Sequence, residues 1–263
     1  MSFVTMRDVA LRYGGEEGGT LALDGASLSV QKGDFVAVVG PSGCGKSTLM
    51  KAISGLWPIN GGVVEVDGSP VRGPLSIVGM AFQNATLLPW RSTLDNVMLP
   101  LEIVRPHREK LHANRREYRQ KALDLLGLVG LAGFEDKNPW ELSGGMQQRA
   151  SLCRALVHDP GLLMLDEPFG ALDMFTREEL WGVLQEVWLS RKPTILLVTH
   201  DLREAAFLAD KIHVMSARPG RIIHTKAVDL PRPRTLRDTF SPEFGAITEE
   251  LRDHISTARA QAA

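Results

Sequence analysis

Five consecutive apolar residues, Phe35–Val39, run directly into Gly40-Pro41-Ser42-Gly43-Cys44-Gly45-Lys46-Ser47. An apolar run of this length, closed by glycine, reads as a parallel strand buried on both faces. Thr48-Leu49-Met50-Lys51-Ala52-Ile53-Ser54 then opens a helix. Glycines between such a strand and helix let successive backbone N–H groups point into one concavity, and the helix N-terminus adds its positive dipole. The spacing G-x-x-x-x-G-K-S/T is that of a phosphate loop, in which Lys46 reaches the β- and γ-phosphates and the Ser47 hydroxyl ligates Mg²⁺. A buried parallel strand needs parallel neighbours and covering helices, so the chain is expected to be α/β.

Two further apolar runs meet that need. Leu162-Leu163-Met164-Leu165 closes on Asp166-Glu167-Pro168, and Thr194-Ile195-Leu196-Leu197-Val198 ends at Thr199-His200-Asp201. Ahead of the loop, Val4, Met6 and Val9 read as strand. Gly14–Gly19 reads as a hairpin tip, and Leu21, Leu23, Ala26, Leu28 and Val30 resume the period of two. Val63–Gly68 is a short strand and turn. Residues from about 84 to 158 change to helical patterning, including a mixed-sign segment, Arg105 to Lys121, that reads as a solvated helix face. Thr176 to Ser190 is an amphipathic helix. After Pro231-Arg232-Pro233-Arg234 a short helical tail remains.

Composition narrows the setting. The 263 residues carry a formal net charge of −1, which implies no bulk attraction to nucleic acid or to an anionic membrane. No apolar stretch approaches the ~18 residues of a membrane span. The start of the chain lacks a signal-peptide core. Cys44 falls in the loop and Cys153 in an expected helix, so the two cysteines suggest a reducing compartment instead of a disulfide framework.

Chemistry is expected at the carboxyl ends of the strands, where parallel sheets bind ligands. Asp166 can hold Mg²⁺ through water, and Glu167 is the candidate to polarise an attacking water. Gln83 follows a short apolar segment, Val78–Phe82, and is placed to sense the metal or the γ-phosphate. His200 ends a strand beside the expected γ-phosphate position. A second anion-type feature lies at Leu142-Ser143-Gly144-Gly145-Met146-Gln147-Gln148-Arg149. Ser143 has the form of a helix N-cap, Gly144 and Gly145 leave the first turn bare, and Met146, Ala150, Cys153 and Val157 recur at helical spacing.

Taken in order, these motifs resemble those of the ATP-binding subunits of ATP-binding cassette (ABC) transporters, over about residues 3–225. Gly40–Thr48 resembles the Walker A loop, Gln83 the Q-loop, Leu142–Gln147 the family signature and Leu162–Glu167 the Walker B strand. Ala171-Leu172-Asp173 resembles the D-loop, and His200 the switch histidine. Tyr13 falls where the family places an aromatic against adenine. Met146 stands where the signature usually has glutamine.

The resemblance implies one P-loop NTPase domain over residues 1–263. It would have a mixed or parallel sheet core, an N-terminal antiparallel β-subdomain, an inserted α-helical subdomain at about 84–158 and a short tail at about 225–263. It implies ATP and Mg²⁺ as ligands, with Ser47, Gln83 and Asp166 at the metal and Lys46, Glu167 and His200 in the chemistry. Tyr13, Gly40, Pro41, Ser42, Gly43, Cys44, Gly45, Lys46, Ser47, Thr48 and Gln83 would bind nucleotide. Ser143, Gly144, Gly145 and Gln147 would complete the site of a second copy, in an ATP-dependent head-to-tail homodimer.

Leu87-Leu88-Pro89-Trp90, Met215–Ile222 and Leu230–Arg234 together look like the nitrate/sulfonate/taurine importer branch. That branch implies transmembrane permease subunits as partners, docked near Leu88 and Trp90. It also implies, indirectly, a periplasmic solute-binding protein and a peripheral place on the cytoplasmic face of the inner membrane. A non-transport ABC ATPase and a nucleotide-dependent adaptor are the alternative readings.

Overall fold

The computed structural model describes residues 2–14 and 18–260; Gly15, Glu16 and Glu17, the middle of the expected hairpin tip, lie outside the described residues. The chain divides into two compact units, residues 1–75 with 188–263, and residues 76–187. The first unit begins with β1 (Ser2–Tyr13), β2 (Thr20–Gln31), β3 (Phe35–Val39), α1 (Lys46–Ile53), β4 (Gly61–Val66) and β5 (Ser69–Pro70). Strands β2-β1-β4-β5 form an antiparallel sheet in that order. The inward residues Val4 and Met6 are followed by Val9 and Leu11, a phase slip of one residue. Register shifts in β1 between Met6 and Val9, and between Arg7 and Ala10, absorb it, with Asp8 at φ 49°. A bulge thereby keeps both apolar pairs on one face.

The second unit carries β6 (Val78–Ala81), α2 (Thr93–Ile103), α3 (His107–Lys110), α4 (Arg115–Leu128), α5 (Gly144–Leu156), β7 (Leu162–Asp166) and most of α6 (Met174–Arg191). Strands β6 and β7 pair in parallel. The Arg105–Lys121 segment is two helices, not one, and is not wholly solvated. His107 Nδ1 lies 3.1 Å from the hydroxyl of buried Tyr118, which turns the junction inward. Buried Asn96 pins the turn before α2. Its amide donates to the carbonyls of Leu88, Arg91 and Ser92, and its oxygen accepts from the Leu88 N–H. A buried amide satisfied on both ends fixes a loop conformation that periodicity cannot reveal.

The first unit resumes with β8 (Thr194–Val198), α7 (Leu202–Leu208), β9 (Lys211–Met215), β10 (Ile222–Ala227) and α8 (Pro242–Ala260). Strand β3 pairs in parallel with both β8 and β9, and β10 runs antiparallel to β9. All five residues of β3 are fully buried, as its unbroken apolar run requires. The tail is more than a short appendage. Helix α8 buries Phe244, Ile247, Leu251 and Ala258 along one stripe and packs on α7 and β9.

Pro231–Arg234 ties down the end of α7. Buried Arg234 donates to the carbonyls of Ala206, Phe207 and Ala209, which the end of α7 would otherwise leave unsatisfied. Burial lowers its pKa to about 10. Arg232 pairs with Asp210 and lies 4.4 Å over the Trp188 ring. No helix among the described residues is long and apolar enough to cross a membrane.

Candidate functional site

In the first unit the phosphate loop is closed on itself. Gly45 caps α1 at φ 109°, and a Cβ there would stand 2.9 Å from the Ala22 carbonyl. Only glycine tolerates that conformation and that approach. Lys46 is 6% exposed, and its ammonium donates to the carbonyls of Gly40 and Pro41 at 2.9 Å each. Burial pushes the Cys44 thiol up, with the nearby Lys46 charge opposing it. Tyr13 donates its hydroxyl to Thr48 Oγ1 at 3.1 Å, tying the end of β1 to the first turn of α1. Its ring lies 5.0 Å from that of Trp57, an aromatic neighbour absent from the sequence reading. An exposed tryptophan shortly after the loop's helix was the available signal.

The segment Arg218-Pro219-Gly220-Arg221 braces the loop from behind. Arg218 donates through Nε and Nη2 to the Gly43 carbonyl at 3.1 and 3.0 Å. Gly220 exchanges backbone bonds with Ala22 and Asp24, and Arg221 pairs with the Asp24 carboxylate. A Cβ on Gly220 would fall 2.2 Å from the Cys44 carbonyl. Sequence reading valued this segment only as a family marker, because nothing in the local pattern says that it folds back on residues ~175 positions earlier. Arg218→Ala should raise the Kd for ATP about three- to tenfold with little change in kcat. That is the scale of roughly 1 kcal/mol from an exposed charge-assisted bond. An unchanged nucleotide Kd by fluorescence titration would remove Arg218 from the loop's support.

In the second unit Asp166 ends β7 in a largely buried position, and Glu167 follows at φ 48°. A glutamate in the left-handed region costs on the order of 1–3 kcal/mol, and such strain collects at functional positions. Gln83 Nε2 donates to Glu167 Oε2 at 3.3 Å, so these two expected site residues meet.

Ser143 caps α5 as expected, accepting from the Met146 N–H at 3.2 Å. The two glycines differ. A Cβ on Gly145 would lie 2.9 Å from Leu172 Cδ2, whereas one on Gly144 would meet nothing within 4 Å. Gly145 thus serves packing within the chain, while the chain itself does not require glycine at 144. Gln147 donates to the carbonyls of Pro139 and Leu142, fixing the approach to the cap.

Two residues of α5 that the sequence reading did not single out hold the segment around Gln83. Buried Gln148 donates to the Phe82 carbonyl at 2.9 Å. Arg154 donates to the carbonyls of Thr86 at 3.0 Å and Ala85 at 2.8 Å. The doubled glutamine after Met146 was the one local sign.

His200 is exposed after β8, next to Asp201, which caps α7 through the N–H groups of Arg203 and Glu204. It opens on a cleft of about 510 Å³ that is also lined from α8 by Thr248 and Arg252.

The family model for the ABC transporter matches residues 23–170. The chain belongs to the ABC transporter family. The match spans the phosphate loop, Gln83, the Ser143 helix start and Asp166-Glu167. The chain is 46% identical over 205 residues to the taurine import ATP-binding protein TauB of Yersinia pestis bv. Antiqua (strain Antiqua), covering 78% of each. It is 41% identical over 238 residues to TauB of Rhizobium johnstonii, covering 88% of this chain and 87% of that one. Among solved structures, a dimeric ATP-binding cassette in a post-hydrolysis state, bound to ADP and Pi, superposes with a TM-score of 0.74. It shares 29% identity and covers 87% of this chain and all of that one. As an ABC ATP-binding subunit the chain binds and hydrolyses ATP, on a P-loop α/β fold.

Proposed function

We propose that this ABC subunit powers import of a small anionic or zwitterionic solute of the sulfonate, taurine or nitrate type. It would work as a head-to-tail homodimer on two permease subunits, at the cytoplasmic face of the inner membrane, with a periplasmic solute-binding protein delivering the solute. The two taurine-import relatives support the import direction and the solute class. The observation that carries the dimer is the exposed start of α5, where Ser143 has already capped the helix and the open face of Gly144 leaves room for another molecule's phosphate.

In this reading the loop Gly40–Thr48 cradles the phosphates. Lys46 would exchange its loop carbonyls for phosphate oxygens, and the Tyr13 ring would lie against adenine. Ser47, Asp166 and Gln83 offer hydroxyl, carboxylate and amide oxygens, a hard donor set suited to Mg²⁺. The ion supplies neutralisation of β- and γ-phosphate charge when bound. Glu167 would accept a proton from the attacking water, and Gln83, bonded to it, would report on the γ-phosphate. His200 would orient the same oxygen group. Trp90, 74% exposed beside the Asn96-pinned turn, would meet the permease. Gln148 and Arg154 of α5 hold both flanks of Gln83, so a shift of α5 on closure would carry the Trp90 side of that segment with it.

Ser143→Arg is the test. It should abolish steady-state hydrolysis, while each chain still binds ATP with its wild-type Kd, because the blocked surface belongs to the other copy's site. Equal loss of binding and turnover would mean that Ser143 acts within its own chain.

A further inference from the structure

Away from every residue used above, His224 on β10 and Glu250 and His254 on α8 come together, half-buried. Glu250 and His254 are one helical turn apart and share a face of α8. His224 and Lys226 alternate by two along β10 and share a side of that strand. His224 Nε2 stands 3.0 Å from Glu250 Oε1, and Lys226 Nζ stands 2.6 Å from Oε2. The His224 and His254 rings stack at 3.8 Å with their planes 17° apart. One ligand atom from each of the three residues lies within 4.8 Å of the others.

We infer that His224, Glu250 and His254 form a binding site for a Zn²⁺-class divalent cation that clamps α8 to β10. Two imidazoles and one carboxylate are a borderline-soft donor set, suited to Zn²⁺, Co²⁺ or Ni²⁺ and poor for Mg²⁺ or Ca²⁺. With bonds of roughly 2.0–2.2 Å, neighbouring ligand atoms on one tetrahedral ion lie about 3.3–3.6 Å apart. The His224–Glu250 pair, at 3.0 Å, has to part by only a few tenths of an ångström to admit it. Stacked rings cannot aim two in-plane lone pairs at one point, so His254 has to turn about its soft χ2 and close toward the pair. Its partial exposure leaves room for that turn.

Lys226 completes the arrangement. Its bond to Oε2 orients the carboxylate and leaves Oε1 for the ion, the outer-shell support that ligating carboxylates usually have. Three protein ligands leave a fourth position for water. The two elements joined are a strand and the tail helix, so the ion acts as a cross-link within the first unit and takes no part in hydrolysis.

The experiment uses tag-free full-length protein, without nucleotide, titrated with Co²⁺ while the visible d–d band is recorded. One equivalent per chain should produce a four-coordinate band. Glu250→Gln and His254→Ala should each weaken binding at least tenfold, with far-UV circular dichroism unchanged. His112→Ala, at an exposed histidine elsewhere, should bind as wild type does. Zn²⁺ should raise the Tm of the wild type and not that of either site variant. Absence of a band in the wild type, or equal Co²⁺ affinity in Glu250→Gln and His254→Ala, would overturn the site. Glu250→Gln is nearly isosteric and half-exposed, so it separates loss of a ligand from loss of fold.

Discussion

Lys46→Ala leaves a folded protein that no longer turns over ATP. The ammonium is buried and shared between two loop carbonyls, Gly40 and Pro41. It is the side-chain positive charge of a loop otherwise built from backbone N–H groups. On the proposed reading, removing it takes away the donor that would meet the charge developing on the transferred phosphoryl group. Deleting one such preorganised donor costs roughly 10²–10³-fold in rate, and weaker binding of the phosphates adds to this. Folding should suffer less. Two carbonyls lose a partner, which costs about 1–3 kcal/mol where water cannot reach them, and the small side chain admits water. Phosphate release should therefore fall to background while the circular dichroism spectrum stays native. Lys46→Met, which keeps most of the volume, should behave alike if charge is the cause. Wild-type turnover in either variant would dismiss the loop as the phosphate site.

What could be read from the sequence follows a physical divide. Phe35–Val39, Leu162–Leu165 and Thr194–Val198 were legible because a strand covered on both faces has no polar alternation to blur it. The phosphate loop was legible because its function lies in backbone geometry, which dictates glycine at particular spacings. Gly45, with its left-handed φ and the close Ala22 carbonyl, shows that dictation directly. The Ser143 cap was legible for the same reason.

The illegible parts depend on side chains that reach backbone groups outside their own stretch of regular structure, whether eight residues away, as from Asn96 to Leu88, or across the chain, as from Arg218 to Gly43. Arg218 on Gly43, Arg234 on the end of α7 and Asn96 on the Leu88 turn are each polar side chains satisfying backbone groups that some other part of the chain leaves exposed. No local period encodes such a pairing. The tail was undervalued because its apolar stripe, Phe244, Ile247, Leu251 and Ala258, is sparse and gains meaning only once α7 and β9 lie against it. The Arg105–Lys121 segment is solvated along most of its length, as its charges imply, and the inward turn at Tyr118 and His107 was the part that no charge pattern could show.

Glu167→Gln separates catalysis from assembly. The amide keeps the shape of the side chain, and its oxygen can still accept from Gln83, so the contact between those residues survives. It cannot take a proton from water, and losing a general base costs roughly 10²–10⁴-fold in rate. On the proposed reading ATP binding needs only the chain's own loop, and pairing needs the second copy's α5, so the variant should accumulate as an ATP-bound dimer on a sizing column. Wild-type protein, which clears its nucleotide, should elute mainly as monomer. The backbone supplies an independent check. Glu167 sits at φ 48°, a conformation glycine adopts without penalty. Glu167→Gly should therefore be as inactive as Glu167→Gln and yet no less stable, with Tm equal to or above that of the wild type. Strain at this residue would then be the cost of holding a carboxylate at the end of β7, retained because hydrolysis needs it there. A monomeric Glu167→Gln with normal hydrolysis would refute the catalytic role. A Tm for Glu167→Gly well below that of the wild type would show that the glutamate side chain stabilises the fold by more than its backbone strain costs.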